Sequence, residues 1–161
     1  HRADDIFTAI RIAKEFKLDY VIVHCTEGHL IRDILAAEKV KAIAGPILCD
    51  RSKPELKNLS VEGPALLHEA GIHAALCTDH PVIPIQYLPL CAGLCMGAGL
   101  EREEALKAIT IYAAEAAGID DKVGSLAPGK DADLVIYEED ADPCGPYARP
   151  SMVFINGQQV V

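Results

Sequence analysis

The stretch Ile72-His73-Ala74-Ala75-Leu76-Cys77-Thr78-Asp79-His80-Pro81 places a carboxylate directly after a short apolar run. The run predicts a buried strand, and Pro81 prevents that strand from continuing regularly. Asp79 is therefore expected at the carboxyl end of the strand, where α/β barrel enzymes carry their active sites. A second run, Asp19-Tyr20-Val21-Ile22-Val23-His24, ends in an imidazole in the same way. Because both terminal groups are ligands of divalent metals, the two strand ends suit metal chemistry. From the spacing alone, Asp79 is equally well explained as a turn or helix cap before Pro81, and His24 is more simply a buried histidine.

Helix and strand patterns alternate along the first half of the chain. Residues 4–16 predict a helix, because the apolar side chains Ile6, Ile10, Ala13 and Phe16 fall on one helical face. Strands are predicted at 20–23, 42–44 and 72–79. Helices are predicted at 29–38 and 64–70, and in the first of these Leu30, Ile34 and Leu35 point inward. This alternation predicts a parallel sheet with helices on its faces, either an open doubly wound sheet or part of a closed barrel.

The pattern changes at Gly118. Before it, helices are predicted over residues 85–97 and 101–117, the second with Leu106, Ile109, Ala113 and Ala116 in register. After it, short strands separated by turns are predicted at Gly124–Leu126, Leu134–Tyr137 and Met152–Ile155. Asn156-Gly157 is a preferred two-residue hairpin signal, which pairs residues 153–155 with residues 158–161. Residues 119–161 are thus expected to form a β segment, too small to be a full domain.

The composition excludes several classes of partner. The net charge of -9 over 161 residues argues against nucleic-acid binding, which depends on clustered Lys and Arg. The six cysteines lack the spacing of a metal knuckle, so free thiols in a reducing cytoplasm are expected. No pattern predicts a signal peptide or a membrane span.

The string Val123-Gly124-Ser125-Leu126-Ala127-Pro128-Gly129-Lys130-Asp131-Ala132-Asp133-Leu134-Val135-Ile136 closely resembles the carboxyl-terminal signature of the amidohydrolase superfamily. A Glu-Glu-Ala-Leu-Lys-Ala-Ile-Thr segment at residues 103–110 precedes it, as in that family. Within the superfamily the chain looks most like the imidazolonepropionase-related group. The resemblance implies the carboxyl-terminal part of a (β/α)8 TIM barrel over residues 1–118, with strands resembling the sixth to eighth. Residues 119–161 would be the β segment of a composite sandwich.

The resemblance also implies a metal site. His24 and Asp79 fall where these enzymes place the histidine of the sixth strand and the aspartate of the eighth. His1 lies at or just beyond the end of the fifth strand, and is either another ligand or the residue two places after it. The three side chains would hold one or two divalent ions, with zinc as the first expectation. Asp79 would also accept a proton from water and later protonate the leaving nitrogen.

The activity implied by the resemblance is metal-dependent hydrolysis of carbon–nitrogen bonds in a small-molecule substrate, an amide or cyclic amide other than an ordinary peptide bond. His80 and Glu27 lie on loops beside the metal positions, so each is either a substrate contact or a solvated or helix-capping residue. His29, His68 and His73 have no partner at ligand spacing along the sequence. We therefore expect surface or core roles for these three.

Two motifs of the family have no counterpart in this chain. They are the His-x-His pair of the first strand and the lysine or acid of the fourth, so we expect an inactive carboxyl-terminal part of a larger enzyme. Strands cut from a barrel leave unpaired edges and an apolar inner face of Val21, Val23, Ile43, Ala74 and Leu76, which predicts a homo-oligomer. The alternative is a non-catalytic α/β structural or binding module. An open nucleotide-binding domain is disfavoured, because no glycine-rich loop follows a strand.

Overall fold

A computed structural model describes all residues, His1–Val161. The chain forms six α-helices and six strands in two sheets. The helices are α1 Ala3–Phe16, α2 Arg32–Ala37, α3 Gly63–Glu69, α4 Leu88–Gly97, α5 Arg102–Ala108 and α6 Ile111–Ala117. The strands are β1 Val21–His24, β2 Lys41–Ala44, β3 Ala75–Leu76, β4 Leu134–Tyr137, β5 Pro150–Ile155 and β6 Gln158–Gln159. None of the helices combines the length and the apolarity that crossing a bilayer requires.

The first sheet is parallel, with strand order β1-β2-β3. Val21 of β1 pairs with Lys41 of β2, and Ala44 of β2 pairs with Leu76 of β3. Helices separate these strands along the chain, so the predicted α/β class is confirmed. Leu35 of α2 and Leu67 of α3 are fully buried against the sheet and anchor its core. Because parallel strands end at the same edge, the residues that follow β1, β2 and β3 come together.

Three of the predicted helices are divided in the structure, and one of them, residues 85–97, forms a 3-10 turn, Ile85–Tyr87, followed by α4. Residues 29–38 form a 3-10 turn, Gly28–Ile31, followed by α2. The change from three to 3.6 residues per turn rotates the apolar positions relative to one another. Leu35 is buried as expected, but Leu30 and Ile34 are 58% and 47% exposed, so their predicted inward positions were wrong.

The helix predicted over residues 101–117 divides at Thr110 into α5 and α6. The Thr110 hydroxyl donates a hydrogen bond to the Leu106 carbonyl at 2.7 Å, a contact that competes with regular helix continuation. The predicted inward positions are only partly buried. The buried residues of the two helices are Ala105, Ala108, Tyr112 and Ala114. The break rotates α6 so that Tyr112 faces the core.

The second sheet is antiparallel, with order β4-β5-β6. The hairpin predicted at Asn156-Gly157 is confirmed, with φ values of 51° and 76° that suit the left-handed positions of a tight turn. The predicted strand at Gly124–Leu126 was wrong, because this segment forms a bend without strand pairing. Cys144 is the only buried residue beyond Gly118, so this sheet has no core of its own.

Candidate active site

The carboxyl ends of β1, β2 and β3 border an open pocket of about 580 Å³. His24 is the last residue of β1, and Asp79 lies three positions beyond the end of β3. Both side chains line the pocket together with His1, which lies just before α1. The structure therefore brings the three side chains that sequence analysis selected as metal ligands to one cavity.

His24 is oriented by the backbone at the end of the neighbouring strand. Its Nδ1 lies 2.9 Å from the carbonyl oxygen of Gly45, which directly follows β2. A carbonyl oxygen can only accept, so Nδ1 must carry the proton of this hydrogen bond. In the neutral ring, Nε2 then has a free lone pair, as a metal-binding histidine requires.

His1 is held beside His24 by two contacts. The two imidazole rings stack with centroids 4.3 Å apart and planes 11° from parallel. The Nδ1 atom of His1 also lies 2.7 Å from the Thr26 hydroxyl oxygen, in a hydrogen bond whose direction depends on the tautomer. His1 is thus fixed at the end of β1 although it is far from that strand in sequence.

The backbone is strained where these side chains enter the pocket. His24, Cys25 and Asp79 have φ values of 72°, 45° and 51°, in the left-handed region that non-glycine residues rarely adopt. Each such residue costs about 1–3 kcal/mol, and such strain is concentrated at functional sites. The strain here falls at the ends of two strands and on two of the predicted ligands, which supports a functional role for this edge of the sheet.

The donor set suits a divalent cation, since two imidazoles and one carboxylate are typical zinc ligands. However, the potential ligand atoms of His1, His24 and Asp79 do not all lie within 4.8 Å of one another. The three side chains share a pocket without converging on one point. Their donor atoms are of the types that bind a divalent cation. Full coordination would require either that the three side chains move closer together or that further donors contribute.

The pocket also has polar lining residues that sequence analysis missed. Cys49, Asp50 and Lys53 belong to the loop after β2 and contribute to the lining. Burial raises the pKa of the Cys49 thiol, which keeps it protonated at neutral pH. The sequence could have indicated these residues, because their polar loop directly follows a predicted strand, as Asp79 does.

Glu27 and His80, the two expected substrate contacts, are not part of the pocket lining. The Glu27 carboxylate accepts a hydrogen bond from the Ala3 backbone N–H at 2.7 Å and another from the Asn58 side-chain amide at 2.8 Å. These bonds, the Ala3 one first, hold the pKa of Glu27 below its usual value. Glu27 therefore caps the start of α1, while the side chain of His80 is exposed. Substrate contact by either residue stays a prediction.

Comparison with known proteins identifies close relatives. Residues 5–160 match the model of the Amidohydrolase family. The solved structure of an amidohydrolase from Thermotoga maritima superposes on the whole chain with a TM-score of 0.94 and 43% sequence identity. An imidazolonepropionase from Geobacillus kaustophilus is 49% identical over 74 residues, which is 44% of this chain. Amidohydrolase tasK from Hapsidospora irregularis is 33% identical over 92 residues, or 57% of this chain.

The matched regions are small parts of these relatives. The chain covers 42% of the Thermotoga maritima protein, 18% of the imidazolonepropionase and 9% of tasK. The likeness therefore concerns a portion of each relative, and their activities belong to longer chains.

Proposed function

Because this chain belongs to the amidohydrolase family, we propose that it supplies the carboxyl-terminal strands of a (β/α)8 barrel in a metal-dependent hydrolase. The bond cleaved is the carbon–nitrogen bond of an amide or cyclic amide other than an ordinary peptide. The likeness to imidazolonepropionases supports this class of bond. Enzymes of the family are generally metal-dependent, and zinc is the cation we expect first.

The observation that carries the proposal is the shared position of His24 and Asp79. One imidazole with a free Nε2 and one carboxylate line the same pocket at the carboxyl edge of a parallel sheet. This edge is where barrel enzymes assemble their active sites. His1 adds a third donor on the same side.

Each residue has a separate task in the proposed reaction. The chemistry that a bound divalent cation supplies in such enzymes is Lewis-acid activation of a carbonyl and of water. His24 would hold the cation through Nε2, since the Gly45 carbonyl occupies Nδ1. The exposed Asp79 carboxylate would accept a proton from the attacking water and return it to the leaving nitrogen. Asp50 and Lys53 offer charged groups at the pocket wall for orienting a polar substrate.

A hydrolysis assay on the natural gene product that carries this sequence tests the proposal. We expect turnover of a panel of amides and cyclic amides to disappear on chelation and to return with zinc. His24→Ala should abolish the zinc-dependent turnover, whereas Asp120→Asn, a change at an exposed residue outside the lining, should retain it. Zinc-dependent turnover that survives His24→Ala would overturn the assignment, and no turnover of any substrate would favour the non-catalytic alternative.

We also propose that the 161-residue chain alone is catalytically weak. Its three pocket donors do not converge within 4.8 Å, and it covers 42% of its Thermotoga maritima relative. Robust zinc-dependent hydrolysis by the purified 161-residue chain would contradict this. All six cysteines are free thiols, which supports a reducing compartment such as the cytoplasm.

The edges of the first sheet support association with a second copy. Each of β1 and β3 has one strand neighbour, and Val23 is 50% exposed. The uncovered apolar face is smaller than the sequence predicted, because Ala74 and Leu76 are buried in the core. We propose a homo-oligomer, which light scattering at micromolar concentration tests directly. A monomer there would show that the exposed edges are tolerated.

A further inference from the structure

A second group of side chains with potential metal ligands lies at the amino end of β3, away from the candidate active site. His73 lies two residues before the strand, His68 is in the last turn of α3, and Glu104 is in α5. One potential ligand atom from each of the three lies within 4.8 Å of the others. Sequence analysis found no partner for His68 and His73 at ligand spacing along the chain, and the structure places Glu104, from a distant segment, beside them.

The His68 ring carries a buried nitrogen without a hydrogen-bond partner. Its Nδ1 is inaccessible to solvent and is the only buried side-chain polar atom of the structure left unpaired. It lies 3.3 Å from Oε2 of Glu104, close enough for an ion pair but not aligned as a hydrogen bond. Buried polar atoms are almost always paired, so an orphan of this kind requires an explanation. A cation between the two atoms would satisfy both.

A small cavity of about 10 Å³ lies beside the three side chains, which are among its nine lining residues. Ligand atoms placed tetrahedrally about 2.0–2.1 Å from zinc are roughly 3.4 Å apart. The separation of His68 Nδ1 and Glu104 Oε2 already matches this value. Small adjustments would bring His73, whose side chain is exposed, to the same distance.

The surrounding residues hold the carboxylate in place. The Tyr112 hydroxyl donates a hydrogen bond to Glu104 Oε2 at 2.6 Å, and Lys107 donates one to Oε1 at 3.0 Å. The Tyr112 bond is the main reason that the pKa of Glu104 lies below its usual value. The His73 ring stacks on Tyr112 with centroids 4.6 Å apart. Outer contacts of this kind orient the ligands in known metal sites.

We propose that His68, His73 and Glu104 bind one zinc-class divalent cation that fastens α3, β3 and α5 together. Two imidazoles and a carboxylate are a ligand set that zinc accepts, with water in the fourth position. The site lies at the amino end of the strand, the end of a barrel associated with stability. The bound cation stabilises the fold because the unfolded chain does not present the three ligands together.

Zinc titration of the 161-residue chain, combined with thermal unfolding, tests this site. The test uses a His24→Ala/Asp79→Asn background, so that the candidate active site lacks two of its donors. This variant should bind one equivalent of zinc after removal of metals, show the visible absorption of tetrahedral cobalt with Co²⁺, and gain several degrees in Tm on zinc addition. Adding His73→Gln or Glu104→Gln should weaken zinc binding at least tenfold and abolish the Tm gain.

His80→Gln in the same background is the matched control, because His80 is an exposed histidine outside the group. It should leave zinc binding unchanged. If the background variant does not fold, the wild-type chain can be compared with its His73→Gln variant. The wild-type chain should then bind one equivalent of zinc more than the variant. Zinc binding unaffected by His73→Gln, or stability that responds to these variants but not to zinc, would overturn the proposal. The test does not depend on hydrolysis, so it is separate from that of the proposed function.

Discussion

The two ends of strand β3 differ in how their polar side chains are used. At the carboxyl end, Asp79 is exposed and lines an open pocket of about 580 Å³. At the amino end, His73 borders a cavity of about 10 Å³, where Tyr112 and Lys107 bond the Glu104 carboxylate. The backbone is left-handed at Asp79, a non-glycine residue, whereas at the opposite end only a glycine, Gly71, has a positive φ. A strained ligand position and open space occur together at the carboxyl end, while at the amino end the Glu104 carboxylate is bonded by its neighbours and His68 Nδ1 is left unpaired.

This contrast separates chemistry from stability. A carboxylate in an open pocket is available to a substrate, whereas one bonded to its neighbours contributes to the fold. A change to the exposed carboxylate at the carboxyl end of β3 should therefore alter hydrolysis more than stability. A change at the amino end should do the reverse.

Asp79→Asn is expected to have the largest effect. Because the change removes the proposed proton acceptor but preserves side-chain volume, kcat/KM should fall about 10²–10⁴-fold, or about 3–5 kcal/mol in the barrier. The measurement is steady-state hydrolysis by the natural gene product that carries this sequence. The Tm should change by less than about 2 °C, since the side chain is exposed. Asp120→Asn, at an exposed aspartate outside the pocket, should change neither quantity, and near-normal hydrolysis by Asp79→Asn at saturating zinc would sink the assignment.

Gly45→Ala should have the next largest effect, on stability at the carboxyl end of the sheet. Gly45 has φ of 136°, and a Cβ atom added there would lie 2.3 Å from the Cys77 carbonyl oxygen. We expect the free energy of unfolding to fall by about 3 kcal/mol or more in urea titration. The control is Gly71→Ala, where φ is also positive at 83° but nothing lies within 4 Å. Equal losses in the two variants would mean that backbone strain alone, and not the contact with Cys77, fixes the end of the sheet.

Tyr112→Phe should have a smaller effect, confined to the amino end. The change removes the hydroxyl that donates to Glu104, and a hydrogen bond to a charged group contributes about 1.5–3 kcal/mol. Urea unfolding should show a loss in this range, with kcat unchanged. Tyr137→Phe, at a half-buried tyrosine of β4, should stay within about 0.5 kcal/mol of wild type. A drop in kcat without loss of stability would break the division between the two ends of β3.

Local patterns in the sequence predicted much of the fold. Helical periodicity identified α1, and the Asn156-Gly157 signal identified the β5–β6 hairpin, because both structures are determined by neighbouring residues. The positions of Leu30 and Ile34 were wrong because a 3-10 turn precedes α2, a change that apolar periodicity does not reveal.

The candidate sites show the same limit. The sequence selected His24 and Asp79 because each lies at the end of a predicted parallel strand and because the resemblance to the amidohydrolase superfamily implies metal ligands at these two positions. The group of His68, His73 and Glu104 was missed because its members meet only when α5 packs beside β3. Helical spacing detects ligands four residues apart, and it does not detect ligands brought together by tertiary packing. The division of the chain at residue 118 stays a prediction.

Glu27→Gln should have the smallest effect, and it distinguishes a helix cap from a substrate contact. Glu27 lies three residues beyond β1 near the candidate active site, yet its carboxylate bonds the Ala3 N–H and the Asn58 amide. Gln retains the shape but loses the negative charge at the start of α1, which typically costs about 0.5–1 kcal/mol. We expect a loss of this size in urea unfolding, with KM unchanged for the natural gene product. Glu139→Gln, in an exposed turn, is the control and should alter neither quantity. A raised KM with unchanged stability would instead show that Glu27 contacts the substrate. The carboxyl end of β1 would then supply a substrate-binding residue in addition to His24.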